Sequence, residues 1–170
     1  VMGETPRSLL SGAWAHIAGT PKVALLGVSM AFFEGATFTF VFMWVPAIQQ
    51  IVGHTAQSKV PTGLVFSCLM VCITIGGVLF SLLTSPTRWT PAADARAGRG
   101  LVAPGALAGA VYALSAACMA VCATQSTELW TVLPAFFVLE ASVGSFHACA
   151  GTLRSAYLPE KYMSTIINIF

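Results

Sequence analysis

Two glutamates, Glu34 and Glu140, lie inside long apolar stretches of this 170-residue chain, where a carboxylate is expensive. Glu34 interrupts GVSMAFFEGATFTFVFMWVP (27–46), and no other charged residue occurs between Val23 and Ser58. At a bilayer centre a charged side chain costs at least about 2.5–3.5 kcal/mol, so such residues face a bundle interior or a water path. There they can bind and release a proton, or hold a polar network that gates a pathway. The plainer alternative is a protonated acid hydrogen-bonded to a neighbouring helix. On a helix, Glu34 shares a face with Met30, Thr37 and Val41, and Glu140 shares one with Gly144 and His147. His147 is a candidate proton relay or an interfacial packing residue. Ser29 and Thr37, with Thr39, Ser67, Thr74, Ser142 and Ser145, carry hydroxyls that a substrate could use. In membrane helices such hydroxyls more often bond a backbone carbonyl one turn back. The candidates for a substrate pathway or proton coupling are therefore Glu34, Glu140, Thr37, His147 and Ser29.

A second polar constellation is DARAGRG (94–100), with Asp94, Arg96 and Arg99. By residue type alone it reads as an ordinary basic loop on the positive side of the chain. Cys68 and Cys72, and Cys118 and Cys122, are spaced i,i+4, with Cys149 alone. No histidine or carboxylate completes a metal set nearby, so these read as small apolar residues; no metal and no cofactor is expected. No glycine-rich phosphate loop, G-x-S-x-G or H-E-x-x-H occurs, which argues against an enzyme, and no basic face suggests nucleic acid.

The elements that must position these groups are membrane helices. The chain is 56% hydrophobic and 8% charged, whereas a soluble domain carries about 25% charged residues. Roughly 20 apolar residues span the hydrocarbon core as a helix, and the uncharged blocks predict spans at about 23–49, 62–83, 101–123 and 129–149. A further span is expected to open at about 163–170. Residues 1–21 read as an interfacial linker, with Leu9, Leu10, Trp14 and Ile17 at near-helical spacing. Residues 22–170 then form an all-α, polytopic bundle embedded in the lipid bilayer. Gly27, Ala31 and Gly35 in the first span, and Gly105, Gly109 and Ala113 in the third, predict close helix approach.

Alternation of four spans puts the N-terminal segment, the 84–100 loop and the 150–162 loop on one side. That side holds seven of the 8 Lys and Arg residues; Lys59 is the exception. The positive-inside rule makes it cytoplasmic. Without a retention or transit signal, the plasma membrane is the default location. Both ends read as cut, and a piece of a longer protein is expected.

Four places in the chain carry a resemblance. They are LLGVSMAFFEGATFTFVFMWVPAI (25–48), GLVFSCLMV (63–71), FFVLEASVG (136–144) and LRSAYLPEKYMSTIINIF (153–170). In order, they resemble the seventh, eighth and tenth helices, and the loop entering the eleventh, of the eukaryotic molybdate-anion transporter family. That family belongs to the major facilitator superfamily. DARAGRG is similar to the superfamily's loop signature, with one inserted residue, and this resemblance implies that Asp94, Arg96 and Arg99 form a cytoplasmic charge clamp between helix ends that stabilises one access state. The resemblance implies part of the C-terminal six-helix half of a secondary transporter working by alternating access. It also implies molybdate, a small inorganic anion, as substrate, and a missing N-terminal half as partner. The rivals are a facilitator for another small solute and a non-transporting membrane scaffold subunit.

Overall fold

The computed structural model describes residues 6–53, 60–84, 104–125, 128–159 and 162–169. No strand occurs among them. Six helices follow in order: α1 (Pro6–Gly19), α2 (Pro21–Val52), α3 (Thr62–Thr84), α4 (Pro104–Thr124), α5 (Leu129–Tyr157) and α6 (Met163–Ile167). The helices α2, α3, α4 and α5 are long and apolar enough to cross a membrane. Their starts use proline where a missing N–H does no harm: Pro21 and Pro104 occupy first-turn positions. Pro46 and Pro134 fall inside α2 and α5, which membrane helices tolerate when neighbours satisfy the freed carbonyl.

The stretches expected at 23–49 and 62–83 lie in α2 and α3; of that expected at 101–123, residues 104–123 lie in α4 and 101–103 fall outside the described residues. The fourth does not stop where expected. Residues 150–157 belong to α5 rather than to a 150–162 loop, because no proline intervenes between Pro134 and Pro159.

The chain divides into two compact units, 39–149 and 1–38 with 150–170. In the first unit four helices converge on one core. Phe40, Trp44 and Ile48 of α2 meet Val65 and Leu69 of α3, Cys118 of α4, and Val132, Phe136 and Leu139 of α5. Phe40 and Phe136 pack edge to face with ring centroids 4.9 Å apart, a geometry that the ring quadrupole favours. Half of the apolar window of α5 is buried (50%), against 17–22% for the other three, so α5 is the helix the others pack around. Among the described residues of α4 only Val111, Ser115 and Cys118 are buried, one stripe at i, i+4, i+7. The broad outward faces, including Phe32, Phe42, Leu64 and Leu82, are apolar as lipid requires.

The tightest packing is glycine-made, at positions other than those expected. A Cβ at Gly76 would lie on the Ala141 carbonyl, and one at Gly144 on the Ile73 carbonyl. Helices α3 and α5 thus touch backbone to backbone, and the Ser145 hydroxyl donates to the Gly76 carbonyl at 2.9 Å. By contrast, a methyl group added at Gly35, Gly105 or Gly109 would meet no neighbour within 4 Å among the described residues. Small residues permit close approach but do not choose which face is used.

In the second unit, Ala13 and Ile17 of α1, Val23 of α2, Leu158 and Ile166 form a small core. The Tyr162 ring lies against Gly12. The α1 face divides accordingly: Ala13 and Ile17 turn inward, while Leu10 and Trp14 are exposed.

Candidate functional site

Glu34 is not alone. It sits at the edge of the buried stripe that Val23, Gly27, Met30 and Phe33 make along α2. The Arg154 guanidinium Nη2 donates to its Oε1 at 3.4 Å. The side chains remain 40% and 31% exposed for Glu34 and Arg154. Charge-assisted N–H···O bonds normally run at about 2.7–2.9 Å, so the pair is loose and monodentate. The extension of α5 to Tyr157 is what brings Arg154 here. The charge pattern by itself puts Arg154 in a cytoplasmic loop. The absence of proline between Pro134 and Pro159 is the sequence signal that keeps it helical.

Arg154 also flanks a cleft of about 20 Å³ with Val23, Gly27, Met30, Leu158 and Ile166. Such a volume holds one water-sized group. Its walls are otherwise apolar.

Ser29 donates to the Leu26 carbonyl at 2.9 Å, and Thr37 to the Phe33 carbonyl at 2.9 Å. Ser67, Thr74 and Ser142 likewise donate one turn back, at 2.9, 3.1 and 2.9 Å. A hydroxyl has one hydrogen, so each of these presents lone pairs, not a donor, to anything else.

Glu140 occupies the other unit, 3% exposed beside the α3–α5 glycine crossing. Among the described residues no cation or hydrogen-bond donor meets its carboxylate. His147 does not join Glu140: it is exposed, with its ring 5.6 Å from that of Phe146. The crossing contacts involve Ala141, Gly144 and Ser145. Asp94, Arg96 and Arg99 lie outside the described residues. One buried hydroxyl, that of Ser115 on α4, has no partner among the described residues; nothing in the sequence marks it.

Chemically, the arrangement offers two differently placed carboxylates on membrane-type helices. One is tied to a guanidinium and partly open, the other is buried at a helix crossing without a cation.

Comparisons with known proteins place the chain. The molybdate-anion transporter of Xenopus laevis is 26% identical over 149 residues, 88% of this chain and 30% of that protein. That of Takifugu rubripes is 38% identical over 64 residues, 38% of this chain and 12% of that protein. That of Danio rerio is 39% identical over 71 residues, 41% of this chain and 13% of that protein. The chain thus spans at most 30% of these relatives' length. No solved structure matches significantly. A sequence family described as sugar transporters with 12 transmembrane helices matches residues 8–93, more than half of the 170, and with four apolar helices in that order the chain belongs to the major facilitator superfamily.

Proposed function

We propose that this chain is part of the C-terminal half of a secondary transporter that carries molybdate across the plasma membrane by alternating access. On this reading α2 to α5 are the seventh to tenth helices, α6 opens the eleventh, and an N-terminal half supplies the facing wall of the pathway. The observation that carries it is the alignment over 88% of the chain with a protein named molybdate-anion transporter. Charge supports the orientation. With seven of the 8 Lys and Arg on one side, the N-terminal segment, the 84–100 loop and residues 150–162 are cytoplasmic. Asp94, Arg96 and Arg99 then form a cytoplasmic clamp, and Glu34 and Glu140 are the pathway carboxylates.

A second substrate class has one observation in its favour, the sugar-transporter description of the matching family. A substrate panel separates the two. The full-length protein, expressed in a transport-deficient host, is expected to take up labelled molybdate saturably, with competition from tungstate and none from glucose. Saturable glucose uptake without molybdate uptake refutes the oxyanion assignment. Absence of any transport by a folded, correctly inserted protein refutes the transporter assignment.

A further inference from the structure

An oxyanion must be held by donors, and this chain has few to offer. Ser29, Thr37, Ser67, Thr74 and Ser142 have each committed their hydrogen to a carbonyl of their own helix, and Ser145 to the Gly76 carbonyl. Only Lys22 and Arg154 are cationic within the described lengths of α2, α3, α4 and α5, and Lys22 stands exposed in the first turn of α2. Arg154 is different. It is carried by the extended α5 to the apolar walls of the small cleft. A guanidinium has five N–H donors in a planar fork suited to oxyanions, and Glu34 engages one nitrogen at 3.4 Å.

We propose that Arg154 is an anion-binding residue of the transport pathway, and that Glu34 is its exchangeable counter-ion. Ionised Glu34 holds the guanidinium when no anion is bound. When Glu34 takes up a proton it releases the guanidinium, which then binds a tetrahedral oxyanion through two N–H groups. Deprotonation on the other side of the membrane restores the Glu34–Arg154 pair and expels the anion. One proton on Glu34 is thereby carried together with one oxyanion on Arg154, and no covalent bond other than that to the proton forms or breaks.

The other charged or titratable groups on elements of this unit are few. They are Arg7 and His16 on α1, Lys22 on α2, and Tyr157 on α5, with Tyr162 packed against Gly12. Among the described residues of the unit, Glu34 is the sole carboxylate, so no other acid there competes for Arg154.

This inference rests on the oxyanion-transport reading, and its test separates the two. In proteoliposomes of the full-length protein, labelled molybdate uptake is measured across a pH series for wild type, Arg154→Ala, Arg154→Lys and Glu34→Gln. Wild-type affinity is expected to rise as pH falls. Arg154→Ala raises the molybdate KM about tenfold or more, from the loss of charge-assisted hydrogen bonds. Arg154→Lys, a point charge without the fork, falls between. Glu34→Gln flattens the pH dependence and lowers the KM at high pH, where the ionised acid otherwise competes. A pair that only ties helices together would instead lower the amount of folded protein and the maximal rate, with the KM and pH profile unchanged. That pattern overturns the inference while leaving molybdate transport intact. Wild-type protein that carries no molybdate at any pH overturns both.

Discussion

Replacing Gly144 by alanine adds one methyl group at the closest approach of α3 and α5. Its Cβ would fall on the Ile73 carbonyl, with the carbonyl carbon at 2.7 Å and the Cα at 3.0 Å. Carbon atoms rest at about 3.5 Å or more, so the helices must part by at least about 0.8 Å. The obstacle is backbone on both sides, and no rotamer change relieves it. Separation on that scale would stretch the 2.9 Å Ser145–Gly76 hydrogen bond beyond bonding distance. Overpacking costs typically about 1–3 kcal/mol, and an interhelical hydrogen bond in a membrane protein averages about 0.6 kcal/mol. The expected loss is therefore about 2–4 kcal/mol, a change of roughly 30- to 1,000-fold in the unfolding equilibrium. Unfolding of the full-length protein in mixed micelles, followed by circular dichroism against increasing SDS, measures it. Gly109→Ala is the control. Its methyl meets nothing within 4 Å, and alanine is favoured over glycine in a helix interior by about 1 kcal/mol, so that variant is expected to be neutral or stabilised. If Gly144→Ala unfolds with wild type while Gly109→Ala is the weak one, the glycine crossing is in the wrong place and the packing argument fails.

Three other outcomes follow from the same geometry. Glu140 is buried and meets no cation among the described residues, so Glu140→Gln is expected to keep wild-type stability within about 0.5 kcal/mol. Glu140→Arg, which buries an unpaired charge, should reduce the folded yield severely; equal losses for both would point to an ion pair absent among the described residues. Cys68 is exposed whereas Cys118 and Cys149 are buried. A small maleimide in detergent should therefore modify Cys68 under native conditions and the other two only after unfolding, as peptide mass mapping would report. Trp14, 64% exposed on α1, is expected to lie at the membrane interface. In a variant whose other tryptophans are replaced by phenylalanine, its fluorescence should be quenched by lipids brominated near the headgroup, and quenching by aqueous iodide instead would remove α1 from the surface.

Much of the architecture was legible because a bilayer allows few solutions. A stretch of apolar residues without backbone partners in lipid must be a helix, and so α2, α3 and α4 appear where uncharged blocks predict them. The end of α5 departs from expectation for a related reason. Charge patterning reports where a chain leaves the hydrocarbon, not where its helix stops, and a helix continues past the interface until something breaks it. At the candidate site, hydroxyl back-bonding followed from local chemistry, and Ser29 and Thr37 behave accordingly. The partner of Glu34 did not, because Arg154 is distant in sequence.

The sequence alone therefore determined the class of protein, the number and approximate limits of the long helices, and the two residues whose presence in apolar surroundings demands an account. Those properties depend on composition and on periodicity within one helix, which are local. The tertiary structure decided which glycines serve as contacts, that Glu140 is buried while His147 is exposed, and that Glu34 faces a guanidinium. Each of these depends on how one helix is rotated against another, and in lipid that rotation is set by packing rather than by hydrophobicity. The hydrophobic pattern of a membrane helix is nearly uniform around its circumference. It cannot say which side meets a neighbour until the neighbours are in place.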